Sequence, residues 1–580
     1  MQSCKKLTLR LLWASFCLIT VFIVACGGSN NRVSFPHAMA PGSKQVFVQP
    51  IGVADISTFD PALSTNVDSI TAIDLVFTGL VQLDDGLNVR PELAQSYELA
   101  PDRLSWTFHL RPGLKFSDGA PLTSRDVAYS IDRALQPATK SPTAPIYLGL
   151  VLDADKLNAG KIKTIIGDSL IMPDDSTITI RMSKKTSYFL QALTYPCSYV
   201  VERSLIAKYG NAWTDHLSEG GGEGPWKVQE YNHSTGITLV PNQYYHGEKP
   251  LLRKQVLAFY TNVDTIYQAY QVGQLSVAGV PAAVLDQARR MTREYQKIPT
   301  LSITYIAMNY LVKPFDIIKI RQAFALAINK DVIESRVLKN ASLATNHIVP
   351  LGMPGYTTNL KGPAGEMGTA GDVNMARQLF AEGLKEGGYA SAAALPPIKL
   401  SYTSGSATSE NITAVCMQMW QSILGVDVKP DPVDPNSLLT KIGSSANNPE
   451  GLQIWRYGWI ADYPDPQDWL TLQFDKGAPN NTVNYGQNNS SNAVQQQANQ
   501  ALMRQADVNP DPNARLQQYM LAEQQLVGDV AWFPLFQGVV HRLVKPCVQG
   551  LAVNAQSLIP PADWAKIYIS TDSPCANATM

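Results

Sequence analysis

A chain of 580 residues exceeds what one hydrophobic core usually organises, so two or three domains are expected. Lys and Arg number 47 against 48 Asp and Glu, and 45% of residues are hydrophobic, an ordinary soluble globular composition. The formal net charge of −1 argues against nucleic acid as partner, because phosphate binding shows itself as a basic excess.

At the start, Lys5, Lys6 and Arg10 precede the apolar run LLWASFCLITVFIVAC, which ends at Cys26. A basic stretch, a short apolar stretch and small residues before a cut describe a secretory signal over residues 1–25. The run is too short and wrongly bounded for a transmembrane span. Ile23-Val24-Ala25-Cys26 resembles the lipobox of bacterial lipoproteins, which implies cleavage before Cys26 and its lipidation. The alternative is an uncleaved anchor. Either way, the rest of the chain is expected outside the cytoplasm on a membrane tether. Residues 26–43, small, polar and Pro-containing, read as a flexible spacer.

Four cysteines follow the cleavage site, Cys197, Cys416, Cys547 and Cys575, and in an exported protein they permit three full disulfide pairings. Cys547 with Cys575 is favoured, since that bond would pin the C-terminal tail. The seven histidines are scattered, without an HExxH or His/Cys cluster, so neither a metal nor another cofactor is expected.

Regular elements follow in order. Trp106, Phe108 and Leu110 alternate as in a half-buried strand. Asp118-Gly119 is a turn signal, and Thr123-Ser124-Arg125-Asp126 is a capping box that opens a helix through Val127, Ile131, Ala134 and Leu135. STITIRM (176–182) and TGITLVPN (235–242) alternate again. Ile320, Phe324, Ala327 and Ile328 mark the buried face of a helix within IKIRQAFALAINKDVI. Asp372 caps another, through Ala376, Leu379, Phe380 and Leu384, which stops at Gly387-Gly388. A last long helix spans about 512–527. Short strands mixed with helices throughout give an α/β or α+β class, with no internal repeat.

The stretch YGWIADYPDPQDWL (457–470) sets one acid, Asp462, among Trp459, Tyr463 and Trp469, just before Pro464 and Pro466. A buried anion is costly unless a cation pairs with it. Asp462 therefore either reaches water from a turn or awaits a positive partner, internal or carried by a ligand.

Five blocks in order then resemble the extracytoplasmic solute-binding proteins of peptide ABC importers, of the oligopeptide-binding type. They are FDPALSTNVDSITAIDLVFTGLVQLDD (59–85), LSWTFHLRPGLKFSDGAPLTSRDVAYSIDRAL (104–135), GEGPWKVQEYN (222–232), MNYLVKPFDIIKIRQAFALAINKDVI (308–333) and YGWIADYPDP (457–466). The resemblance covers the chain from about residue 45 to the end. Departures stand at Glu223, where the family has Thr or Asn, at Ile317, and at Asn329 in place of an acid.

The resemblance implies an α/β fold of two lobes joined by a hinge, with a small accessory domain on the first. Lobe I would take residues 44–78, 191–303 and 540–580, the accessory domain 79–190, and lobe II 304–539. It places a peptide's α-ammonium on Asp462. Gly458-Trp459-Ile460, and Thr65-Asn66-Val67 from the other lobe, would exchange main-chain hydrogen bonds with an extended peptide. Trp459 would wall side-chain pockets, Arg456 and Lys441 would receive the C-terminus, and Tyr147 would be a cleft aromatic. Glu223 would bring a new negative charge to the cleft border.

A membrane-tethered binding protein follows, a monomer that delivers short peptides to an ABC permease without covalent chemistry. Relatives of this fold carry nickel complexes, sugars, haem or opines, and a peptide-sensing role would use the same site. An exported peptidase is the rival from another class, but no GxSxG, HExxH or Cys/His signature supports it.

Overall fold

The computed structural model describes residues 37–572 apart from 53, 54 and 261. The signal segment, Cys26, most of the spacer and Cys575 lie outside the described residues.

Three main sheets organise the chain. In the first, Val46–Pro50 runs parallel to Lys254–Ala258, and Gly236–Pro241 and Trp226–Asn232 follow antiparallel. Its core gathers Phe47, Phe77, Trp213, Trp226 and Trp564. The second is antiparallel, in the order Ala94–Leu99, Ser105–Leu110, Thr177–Arg181, Leu170–Asp174. Helix Ser124–Leu135 covers it, packing Val127, Ile131, Ala134 and Leu135 with Phe108, Ile178 and Ile180. Both halves of its capping box form, as the Thr123 and Asp126 pattern requires.

The third sheet has seven strands and is mixed. At its centre the long strands Tyr295–Met308 and Phe533–Val544 pair antiparallel, with a register shift between Pro299 and Ile303. One end of this pair joins Val277–Gly279 and packs Leu543 with Val48 and Val256 of the first sheet. The other end joins Ile454–Ile460, then Ile398–Thr403 and Val428–Val433. Two strands thus run from one lobe into the other. The fold is α/β and two-lobed, with the second sheet as an added small domain.

Two departures have local causes. The stretch 318–333, within which one helix was expected, forms two, Ile318–Leu326 and Lys330–Arg336. Asn329 is extended between them and its Oδ1 accepts the Val332 N–H at 2.9 Å, so it starts a second helix. Helix Ala493–Val508 went unread because its buried face includes the amides Gln496, Asn499 and Gln500. Elsewhere Asp372 caps Val373–Glu386 and Asp511 caps Pro512–Gly528.

Cys197 and Cys416 are free, buried thiols, and Cys547 is disulfide-bonded. Pairings that use Cys197 or Cys416 are thereby excluded. Among the described residues no helix is long and apolar enough to cross a membrane.

Candidate ligand-binding site

The strand Ile454–Ile460 builds the site. Alternation sends Trp455, Tyr457 and Trp459 toward a core with Tyr305, Trp469 and Phe474, while Ile454 packs on the opposite side with Ile306 and Trp420. One edge is fully paired, from Ser302 opposite Ile460 to Met308 opposite Ile454. The other edge is paired only at Leu400–Ile454 and Ser401–Trp455. From Arg456 to Ile460 no described strand pairs with that second edge, and Gly458 and Ile460 are exposed. An unpaired row of N–H and C=O groups is a template for another extended chain.

Beyond Ile460 three acids take three roles. Asp465 caps the short helix Pro466–Trp469 and forms a 2.5 Å ion pair with Arg515. Asp468 is completely buried, and its Oδ2 accepts the Trp459 indole N–H and the Asp462 backbone N–H, each at 3.2 Å. Its Oδ1 has no partner, and burial holds its carboxyl well above the ordinary range.

Asp462 is the third. Its carboxylate accepts the Tyr147 hydroxyl, and among the described residues no cation pairs with it. Burial pushes its pKa up to about 6, while the Tyr147 bond pulls the other way. Tyr147 ends the one-turn helix Ala144–Tyr147, stacks on Tyr195 at 4.1 Å, and meets the Tyr463 ring edge-on at 5.9 Å. The Tyr195 hydroxyl lies 3.5 Å from the Ser64 carbonyl, so the ring stacked on Tyr147 reaches the segment just before Thr65.

The remaining candidates divide. Thr65, Asn66 and Val67 are exposed and follow Ser64 directly. Val67 is not extended: the Asn66 Oδ1 accepts the Ser69 N–H at 2.9 Å, which makes Val67 the first residue of helix Val67–Val76. Arg456 donates to the Ser409 carbonyl at 3.2 Å and to the Ser409 hydroxyl, while its buried Nε is unpartnered. No described acid pairs with this guanidinium, and burial lowers its pKa. Lys441 is exposed in the last turn of Pro435–Gly443, and no contact joins its side chain to Arg456 or Asp462.

Glu223 is a correction. It is 2% exposed and presents no charge at a cleft border. Its Oε1 accepts the Thr78 N–H at 2.8 Å, its Oε2 is unpartnered, and burial raises its pKa well above the ordinary value. Sequence reasoning also missed Tyr195, Ser409 and Asp468 as neighbours of the site. Of these only Asp468 carried a signal, a third acid within the ADYPDPQDW segment.

Two lobes bridged by paired strands, with an open strand edge beside an unpaired carboxylate, define a solute-capturing protein. The chain belongs to the bacterial extracellular solute-binding proteins, family 5, whose middle-region model matches residues 88–481. It is 29% identical over 435 residues to the oligopeptide-binding protein OppA of Bacillus subtilis, covering 73% of this chain and 77% of that protein. Identity to the periplasmic oligopeptide-binding protein OppA of Salmonella typhimurium is 26% over 542 residues, covering 92% and 94%. The crystal structure of Haemophilus influenzae OppA in complex with RPPGFSPFR superposes with a TM-score of 0.71 at 24% identity, covering 92% of this chain and 100% of that one.

Proposed function

We propose that this protein captures short peptides between its lobes and delivers them to an ABC permease, tethered outside the cytoplasm by lipidated Cys26. The observation that carries the reading is the Asp462 carboxylate, which has no cation among the described residues and follows an open strand edge. An extended peptide would add to that edge through main-chain bonds, independent of its sequence, and set its α-ammonium on Asp462. Arg456, charged and bonded only to neutral groups, is suited to the peptide's C-terminus. The oligopeptide-binding relatives support the same ligand class.

In this reading residues 44–78, 191–303 and 540–580 form one lobe, 304–539 the other, and 79–190 the small domain. The separate sheets and cores support that division. Closure is favoured because the ligand touches both sides, from Thr65 and Tyr147 to Trp459 and Asp462. Calorimetry with a free peptide and its N-acetylated form tests the proposal. The free peptide should bind on the order of a hundredfold tighter, the effect of removing one charge from a desolvated pair. Equal affinities would remove the ammonium site.

A further inference from the structure

A pocket of ≈ 90 Å³ lies between helix Val67–Val76, the Phe533–Val544 strand and the loop 551–559. That volume holds about three waters. Phe47, Leu75 and Trp564 give it apolar walls. Against them stand Gln49, Asp74, Arg542 and Ser557.

Two of its lining segments continue to candidate residues of the ligand site. Asp74 follows Val67 by seven residues, two turns along one helix face. Gln556, next to Ser557, lies 3.3 Å from the Ala461 carbonyl and 3.5 Å from that of Asp462, to which its Nε2 donates.

The polar groups are unspent. Arg542 donates Nε and Nη2 to the Gln296 Oε1 at 2.8 and 2.7 Å, and no described acid neutralises it. No hydrogen bond to another described residue engages the Gln49 amide or the Ser557 hydroxyl. Ser557 sits at φ +64, a left-handed conformation uncommon for a residue with a side chain. The Asn554 Oδ1 holds that turn by accepting the N–H groups of Gln556 and Leu558 at 3.0 and 3.1 Å. Such an outlier, held in place beside a cavity, points to a use for the side chain it presents.

Asp74 does not cancel the Arg542 charge. The Tyr199 hydroxyl is 3.0 Å from the Asp74 Oδ1 and 3.1 Å from the Thr194 carbonyl. A phenol has one proton and a carbonyl can only accept. Both bonds form together only when Asp74 carries a proton, as its burial favours up to about pH 7. The pocket then holds one positive charge and several free donors.

We propose that this pocket is a second recognition site, which takes a carboxylate. Only the source of that carboxylate, an acidic side chain or the C-terminus of a bound peptide, rests on the peptide reading. A free small carboxylic acid has the same chemistry.

The test uses the mature protein at about pH 6.5, with short peptides that carry Glu or Gln at each position in turn, C-terminally amidated peptides, and glutarate alone. At one position Glu should bind about tenfold tighter than Gln, the advantage of a charge-assisted over a neutral bond. Arg542→Gln should abolish that preference; Gln49→Leu, in case the arginine variant fails to fold, should weaken it. If amidation rather than Gln brings the Arg542-dependent loss, the carboxylate is the C-terminus. If no peptide binds but glutarate raises the Tm of the wild type and not of Arg542→Gln, the pocket stands and the peptide reading falls. Peptides that bind with no Glu, C-terminal or glutarate effect traceable to Arg542 overturn the pocket alone. Silence from every probe overturns both.

Discussion

The Tyr147 hydroxyl donates to the Asp462 carboxylate across 315 residues of sequence, and this bond joins the small domain to the strand that would hold a ligand. It gives the carboxylate one neutral donor where a cation would be far better. The site is therefore satisfied enough to persist empty and remains open to an ammonium.

Asp462→Asn should divide stability from binding. The folded pKa of Asp462 is raised to about 6 against an ordinary 3.8, so ionising it opposes folding. Its contribution is intact below about pH 4 and lost as pH rises through 6. The Asn variant should melt above the wild type at pH 8, with the two curves converging near pH 4. Peptide affinity should nevertheless fall by about 3 kcal/mol. In the wild type, log affinity should fall by about one per pH unit as pH drops below 6, because a protonated acid cannot pair with the ammonium. A flat affinity profile between pH 7 and 5 would place the anchor elsewhere.

Tyr147→Phe removes the one bond that favours the ionised form of Asp462. Its carboxyl should then titrate above 6, measured by carbon-detected NMR of the ligand-free protein. The acid limb of peptide binding should move upward with it. An unmoved titration would mean that the phenol and the carboxylate do not meet in solution.

Arg456→Met tests the other end. Its guanidinium is partly desolvated and, among the described residues, pairs with no acid and bonds only to Ser409, so its loss should leave the ligand-free Tm within a few degrees. Binding of peptides with a free C-terminus should weaken by about 1.5–3 kcal/mol. C-terminally amidated peptides should bind both forms equally. A loss shared by amidated peptides would assign Arg456 to the strand and not to the ligand.

Glu223→Gln separates a buried acid from a surface charge. Burial raises the pKa of the Glu223 carboxyl well above its ordinary value and so favours the neutral form, and an amide of the same shape preserves the bond from Thr78. Stability at pH 7 should change by less than about 1 kcal/mol, and the ligand set released on denaturation, read by mass spectrometry, should not change. Altered ligand preference would return Glu223 to the cleft.

These residues also show where sequence reading stops. The capping box Thr123–Asp126 and the alternation of Trp106, Phe108 and Leu110 are local patterns, so their elements could be read directly. Asp462 stood out because an acid among aromatics is chemically conspicuous. Its phenol partner is fixed by packing between lobes, which no local spacing encodes. Glu223 misled for a related reason. The family resemblance put its loop at the cleft border, yet a Cβ on Gly222 would come within 2.2 Å of the Val76 carbonyl, so the loop lies tight on the helix end. That Val67 opens a helix rests on the Asn66 side-chain cap, which the resemblance did not specify.

Asp468 offers the last prediction. Its Oδ2 holds the Trp459 indole and the Asp462 backbone N–H together, so it acts on the site by positioning those two residues. Its own carboxyl, fully buried, favours the protonated form, and the nearby Asp462 charge favours it further. A neutral acceptor is therefore all the position needs, and Asp468→Asn should keep peptide affinity within about threefold. Asp468→Leu fills similar space but leaves two buried N–H groups without an acceptor, at about 1–3 kcal/mol each. It should weaken binding and shift the Trp459 fluorescence, while the Asn form restores both. If Asn fails as badly as Leu, Asp468 is ionised in the native protein. The two acids would then share one unpaired charge, and the pH profile of binding would follow the pair and not Asp462 alone.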